Sequence, residues 1–161
     1  AKDRIEGGEL SNHLRRGGRS YSKGPVEYKG KIKNRISIDH RPDIVQARNR
    51  LGDYEIDLIV GAKNKGVILT AVDRASRECM IKKLRNKSAL EIEFAVVDAL
   101  RNKAKTITSD NGNEFTNHQN IAQKVNADYY FANPYASYER GSIENLNGLI
   151  RQYIPKGSDL D

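Results

Sequence analysis

Three carboxylates of this chain lie where regular elements can direct them to one point. They are Asp57 in YEIDLIVG, Asp110 in TITSDNGNEF and Glu144 in GSIENLNGLIRQY. Mg²⁺ prefers hard oxygen ligands and takes few of them from protein, so two or three acidic side chains, completed by water and phosphate, are sufficient. No His or Cys ligand set is needed. The pattern therefore predicts a metal site of the kind that nucleases and transposases use.

Each of these acids also has a plainer interpretation. Asp57 could be an acid on the exposed face of a strand, Asp110 a turn former in Ser-Asp-Asn-Gly, and Glu144 a solvated helix residue. The plainer interpretation fits Asp57 least well, because burying a carboxylate within the apolar run of residues 56–60 costs free energy unless it is paired or metal-bound. Competing acidic candidates near the same blocks are Asp73, Glu114 and Glu139.

The elements that must position the acids can be predicted from periodicity. The runs YEIDLIVG, GVILTAVDR and ECMIKKLR predict a three-stranded antiparallel meander, with a tight turn near residues 62–65. In SALEIEFAVVDALRN the apolar residues Leu90, Phe94, Val97 and Leu100 recur at helical spacing, and Ser88 is placed to cap the helix. This part of the chain is therefore predicted to run strand, strand, strand, helix.

The second half alternates strands with helices. KTITSD and ADYYFA predict strands, TNHQNIAQKV predicts a helix between them, and GSIENLNGLIRQYIP predicts the last helix, with Glu144 flanking its apolar stripe. Alternation implies parallel neighbours. The predicted fold is α/β, a five-stranded mixed sheet of three antiparallel and then two parallel strands flanked by helices. The first strand should be central, which makes Asp57 and Asp110 neighbours.

The charge of the chain is unevenly distributed. Residues 1–50 carry 13 Lys and Arg against six Asp and Glu, whereas residues 51–161 carry 15 of each. The predicted division is a basic, largely irregular arm or linker at 1–50, suited to lying along phosphates, and a catalytic core at 51–161. The plainer alternative for the arm is a solubilising linker.

Composition excludes several other classes. Cys79 is the only cysteine and there are three His, which leaves no disulfide framework and little room for a zinc site. No stretch approaches the roughly 20 apolar residues of a spanning helix, and the chain does not begin like a signal peptide. We therefore expect a cytoplasmic protein that has no membrane partner.

Polar residues near the predicted site are candidates for DNA contacts, through phosphates that flank a scissile bond. Any one of them could instead be an ordinary surface residue. They are Lys63, Lys65, Arg140, Asn145, Asn147, Arg151 and Lys156.

Three blocks of the chain together resemble the catalytic core of bacterial insertion-sequence DDE transposases, most closely the IS-thirty type. They are RPDIVQARNRLGDYEIDLIVG, TITSDNGNEFTNH and NPYASYERGSIENLNGLIRQYIPKG, and the resemblance extends from Arg41 to Asp161. The third block is long and highly specific. Two departures are Tyr54 and Tyr138, which stand where this family usually has Trp. A third is the absence from residues 1–50 of a helix-turn-helix region, so the chain is interpreted as a truncated core.

The resemblance implies a ribonuclease-H-like fold, related to retroviral integrase catalytic cores, that binds two divalent ions. Mg²⁺ is the expected ion and Mn²⁺ should be able to substitute. The implied activity is cleavage at transposon ends and transfer of the freed 3′-hydroxyl to target DNA. The triad carries over to Asp57, Asp110 and Glu144, with 33 residues between the last two. Paired transposon ends imply a homodimer or a larger assembly on DNA.

Two other classes stay open. One is a metal-dependent nuclease of the same fold that cuts without strand transfer, and the other is a nucleic-acid-binding domain without catalysis. A nuclease would cleave DNA and give no joined product. The binding domain predicts salt-sensitive binding that ignores divalent ions.

Overall fold

The computed structural model describes residues 7–8, 32–62, 66–134 and 136–160. Its strands and helices, numbered in chain order, are α1 (Asp43–Ala47), β1 (Asp53–Val60), β2 (Val67–Asp73), β3 (Cys79–Leu84), α2 (Ala89–Leu100), β4 (Thr106–Ser109), α3 (His118–Val125), β5 (Asp128–Phe131) and α4 (Gly141–Tyr153). Short 3₁₀ helices occur at Ile38–His40, Asn113–Phe115 and Ser137–Arg140. None of the helices in the described ranges has the length and apolar character needed to cross a membrane.

The five strands form one sheet in the order β3-β2-β1-β4-β5. β1 pairs antiparallel with β2 and β2 with β3, whereas β4 is parallel to both β1 and β5. The predicted mixed sheet and the central position of β1 are therefore confirmed. In the β1–β4 register Glu55 lies beside Thr108, and continuing it by two residues brings Asp57 level with Asp110.

The two faces of β1 meet different helices, because successive side chains of a strand point to opposite sides. Ile56 belongs to the main hydrophobic core, where it joins Ile92 and Val96 of α2 and Ile121 of α3. Glu55, one position earlier, is hydrogen-bonded to α4 instead. Glu55 and Asp57 are thus directed away from this core and toward α4.

Helix α2 forms where it was predicted and begins at the predicted cap, since the Ser88 hydroxyl accepts a hydrogen bond from Glu91 N. The apolar stripe used to predict it is only partly its buried face. Leu90 and Phe94 are 64% and 72% exposed. The other two residues of the predicted stripe, Val97 and Leu100, are buried. The helix also buries Ile92, Glu93, Ala95 and Val96.

The segment before β1 packs on the sheet as far as it is described. Val45 of α1 is fully buried, Ser37 forms a parallel bridge with Phe131, and buried Arg41 donates a hydrogen bond to the Thr108 hydroxyl at 3.0 Å. The predicted division at residue 50 stays a prediction. Residues 1–31, apart from 7 and 8, lie outside the described residues, whereas the part at 32–50 contacts the core.

Candidate active site

Asp57 lies in the middle of β1 with its side chain 25% exposed. One carboxylate oxygen, Oδ1, accepts a hydrogen bond from Leu58 N at 2.8 Å, and the other, Oδ2, accepts one from Asn147 Nδ2 at 3.0 Å. Burial raises the pKa of Asp57 above its ordinary value, Arg140 opposes this, and the charge of Asp110 adds to it. This carboxylate is therefore held in a fixed direction in a setting that penalises its negative charge.

Asp110 directly follows β4, and a local turn orients its side chain. Asp110 Oδ1 accepts a hydrogen bond from Gly112 N at 2.9 Å, which is the usual role of Asp at the start of a tight turn. A Cβ on Gly112 would lie 2.5 Å from Glu114 Cδ, so a larger residue at that position would require the Glu114 side chain to move. The Asp110 side chain is 42% exposed.

Arg140 brings the two aspartates to one point. Its Nη1 lies 3.7 Å from Asp57 Oδ2, and its Nη2 lies 3.8 Å from Asp110 Oδ2. Nη1 also donates a hydrogen bond to the Ile56 carbonyl at 3.3 Å. Two carboxylates therefore face one cationic group. Asp57 and Asp110 are neighbours, as the strand order predicted, but the guanidinium between them was not predicted.

Asn147 on α4 connects the helix to the site. Besides donating to Asp57, its Oδ1 lies 2.9 Å from the Thr70 hydroxyl of β2, which is also 3.2 Å from the Asp57 carbonyl. The single hydroxyl proton of Thr70 can be donated to either acceptor. Asn147 therefore supports a carboxylate, a role that was not among its predicted ones.

Glu144 lies in the first turn of α4, half-buried, three residues before Asn147. Residues three apart share a helix face, so Glu144 lies on the side of α4 that contacts β1. Within the described ranges, no group of three or more His, Cys, Asp or Glu side chains is close enough to hold a metal ion. The structure thus brings Asp57 and Asp110 together, and it places Glu144 on the adjoining helix without completing a three-carboxylate group.

The donor chemistry nevertheless fits a divalent cation. Carboxylate oxygens are the ligands that Mg²⁺ selects, and the guanidinium of Arg140 already stands between two of them as a positive charge.

A family model described as the integrase core domain matches residues 27–137. The chain belongs to the integrase core domain family. The chain is 50% identical over 164 residues to the transposase for insertion sequence element IS4351 of Bacteroides fragilis, covering 99% of this chain and 50% of the relative. It is 37% identical over 156 residues to the transposase InsI for insertion sequence element IS30A of Escherichia coli K12, covering 93% and 40%. The resemblance to transposases of this type is therefore confirmed, and the chain spans about half the length of the curated relatives it matches.

The fold has a solved counterpart. The catalytic core domain of BIV integrase superposes with a TM-score of 0.51. It is 22% identical, and the match covers 61% of this chain and 65% of that one. The predicted ribonuclease-H-like class of fold is confirmed by this likeness.

This integrase core domain also contains a buried ion pair that sequence reasoning missed. Glu55 and Arg74 are 0% and 1% exposed and are paired with each other. Glu55 Oε2 accepts a hydrogen bond from Ile143 N at 2.8 Å, whereas Arg74 donates to the Val45 carbonyl at 3.2 Å and to Gln46 Oε1 at 2.7 Å. The pair thus connects α1, β1 and the first turn of α4.

A signal for this pair was present in the sequence. In DYEIDLIV the acids stand at 53, 55 and 57, so all three share one face of an otherwise apolar strand. Asp53 is held by Arg50 and by the Thr106 hydroxyl, and Glu55 by Arg74, which leaves Asp57 as the one directed to Arg140.

The rival acids have structural roles. Asp73 accepts hydrogen bonds from the backbone N–H groups of Gly52, Ala75 and Ser76 at 2.7–2.9 Å. Burial by itself would raise the pKa of Asp73, but these hydrogen bonds outweigh it and the pKa is lowered. Glu139 is committed to Asn133, whose backbone N–H and side-chain amide both donate to it.

The predicted DNA-contact residues differ in their surroundings. Lys63 and Lys65 lie outside the described residues. Arg140 and Asn147 contact Asp57, whereas Arg151 donates hydrogen bonds to the carbonyls of Val60 at 3.2 Å and Pro155 at 3.3 Å. Asn145 and Lys156 are exposed, on α4 and just after it. Their role toward DNA stays a prediction.

Proposed function

We propose that this chain is the catalytic core of a bacterial DDE transposase, which cuts DNA at transposon ends and transfers the freed 3′-hydroxyl to target DNA. The observation that carries the proposal is the convergence of Asp57 and Asp110 on one guanidinium, beside the helix that bears Glu144. Similarity to transposases over nearly the whole chain supports it. The setting would be the bacterial cytoplasm, where chromosomal and plasmid DNA lie.

Asp57, Asp110 and Glu144 would hold two Mg²⁺, or Mn²⁺ in their place. Bound there, two ions would supply an activated water or 3′-hydroxyl on one side of the phosphate and a stabilised leaving oxygen on the other. Leu58 N and Asn147 Nδ2 each donate to one oxygen of Asp57, and Gly112 N donates to one oxygen of Asp110, so the directions of both carboxylates are fixed.

DNA would lie along the exposed side of α4. The residues that would contact phosphates there are Arg140, Asn145, Asn147, Arg151 and Lys156, together with Lys63 and Lys65, which lie between β1 and β2 in the sequence. Such contacts fix the register of DNA without reading its sequence. The two ends of a transposon would be held by a homodimer or a larger assembly.

The test is a Mn²⁺-dependent reaction of the chain with labelled DNA that carries a pre-cut 3′-hydroxyl end. We expect joined products with the native chain and their loss in Asp57→Asn, Asp110→Asn and Glu144→Gln. Asp128→Asn is the matched control, because Asp128 is an exposed acid of the same sheet, at the start of β5. It should join DNA as the native chain does.

The other outcomes identify the alternatives. Metal-dependent cleavage without joining would replace the transposase by a nuclease. Salt-sensitive DNA binding that is unaffected by Mn²⁺ and by all three substitutions would leave a binding domain and refute the catalytic proposal.

A further inference from the structure

Arg140 occupies an unusual position for a residue expected to bind DNA. Its side chain is only 12% exposed, and its two terminal nitrogens face the two aspartates of the site rather than solvent. It immediately precedes α4, so it lies four residues before Glu144. A cation that sits between two carboxylates relieves their mutual repulsion.

The guanidinium is near the carboxylates without being bonded closely to them. Its distances of 3.7 and 3.8 Å to the aspartate oxygens exceed the roughly 2.7–2.9 Å of a charge-assisted hydrogen bond. Arg140 Nε is buried and has no hydrogen-bond partner among the described residues. The hydrogen bond from Arg140 Nη1 to the Ile56 carbonyl is also long, at 3.3 Å. The guanidinium is thus held more by electrostatic attraction than by short hydrogen bonds.

We propose that Arg140 is an internal counter-ion, which keeps Asp57 and Asp110 together until a divalent cation takes its place. The displaced Arg140 side chain then binds a DNA phosphate. The inference rests on the proposed function, because it takes the two aspartates as metal ligands. A cation bound to oxygens of both aspartates would lie close to both Nη atoms. Like charges at that distance repel, so the guanidinium must leave as the cation enters.

The displaced side chain has a use. Arg140 is anchored at the start of α4, where a helix favours negative charge, and its planar guanidinium suits a phosphate. Metal entry and phosphate binding would therefore be coupled through one side chain. Arg140 acts on the metal ligands as a positioning residue.

The first experiment measures Mn²⁺ affinity by isothermal titration calorimetry on the DNA-free chain. Arg140→Ala should bind Mn²⁺ about 5- to 150-fold more tightly, the usual range for coupling between sites. Arg101→Ala is the matched control, because it removes the same charge at an exposed position directly after α2, the helix that packs on the opposite face of the sheet. It should stay close to native affinity. Equal or weaker Mn²⁺ binding by Arg140→Ala would overturn the proposal, and so would equal tightening in both variants.

The second experiment needs no metal. In EDTA, Arg140→Ala should lower the melting temperature of the native chain, but much less in an Asp57→Asn background, where the repulsion is already removed. Simple additivity of the two substitutions would overturn the counter-ion role. If Arg140→Ala does not fold, Arg140→Gln, which is also neutral but keeps a polar side chain, carries the same expectations in both experiments.

The two proposals fail in different ways. A native chain that binds no Mn²⁺ would refute the metal site and the displacement step. The melting temperatures in EDTA of Arg140→Ala, Asp57→Asn and the double variant would still report whether Arg140 couples to Asp57. Tight native binding with no gain in Arg140→Ala would leave the metal site intact and refute the counter-ion alone.

Discussion

The Glu55–Arg74 pair offers the sharpest test of how this fold holds its site. Arg74→Met would leave a fully buried carboxylate with the Ile143 N–H and without its ion-pair partner. Removing one partner of a buried pair costs about 3–5 kcal/mol, because the remaining charge stays buried. At about 2–4 °C per kcal/mol for a chain of this size, the melting temperature should fall by roughly 6–20 °C.

The double variant Glu55→Gln/Arg74→Met separates charge from packing. Both members become neutral, and the Gln carbonyl can still accept the hydrogen bond from Ile143 N. Replacement of a whole buried pair is often neutral, so we expect most of the lost stability to return. Urea unfolding followed by circular dichroism measures both variants, provided the denaturant slope is unchanged.

A third variant tests the connection to the site. Glu55→Leu/Arg74→Met also removes the charges, but it leaves Ile143 N without its acceptor at the helix turn that bears Glu144. We expect Mn²⁺ affinity about 10- to 100-fold below that of the Gln/Met variant, as for other residues that support metal ligands. If Arg74→Met is as stable as the native chain, or if the Leu/Met and Gln/Met variants bind Mn²⁺ equally, the reasoning is refuted.

Three further predictions follow from the same contacts. Burial raises the pKa of Asp57, so its ionised form destabilises the folded chain and stability falls as pH rises through that pKa. Asp57→Asn should therefore raise the melting temperature in EDTA at pH 7, and this gain should vanish below about pH 4, where Asp57 is protonated in both the folded and the unfolded chain. A lower or unchanged melting temperature at pH 7 contradicts this. Asn147→Ala should weaken Mn²⁺ binding about 10- to 100-fold, because Asn147 donates to Asp57. Thr70→Val should weaken Mn²⁺ binding less, because Thr70 contacts Asn147. A larger loss of affinity in Thr70→Val than in Asn147→Ala, measured by calorimetry, contradicts this. Asp73→Asn should cost about 1–3 kcal/mol in urea unfolding and leave Mn²⁺ affinity unchanged, because its carboxylate accepts three backbone N–H groups; weakened metal binding would return Asp73 to the site.

Much of this architecture was predictable because the evidence for it is local. Alternation along DYEIDLIV and helical spacing in GSIENLNGLIRQY identify elements within one segment, and parallel strands joined by helices leave few topologies. That was sufficient to place β1 centrally and to bring Asp57 beside Asp110. The helix α2 shows the limit: apolar residues occur on several of its sides, so periodicity could not tell that Leu90 and Phe94 would be exposed while Ile92 and Val96 are buried.

By itself, then, the sequence determined the order of the elements, which strands are neighbours, and that Asp57 and Asp110 lie beside each other. Only the tertiary structure decided what stands around them. Arg140 between the aspartates, Asn147 on Asp57, and the Glu55–Arg74 pair beneath α4 all join residues that are 19 to 90 positions apart. Such pairings depend on which side chains meet when helices dock on a sheet, and no spacing within a single segment encodes that meeting.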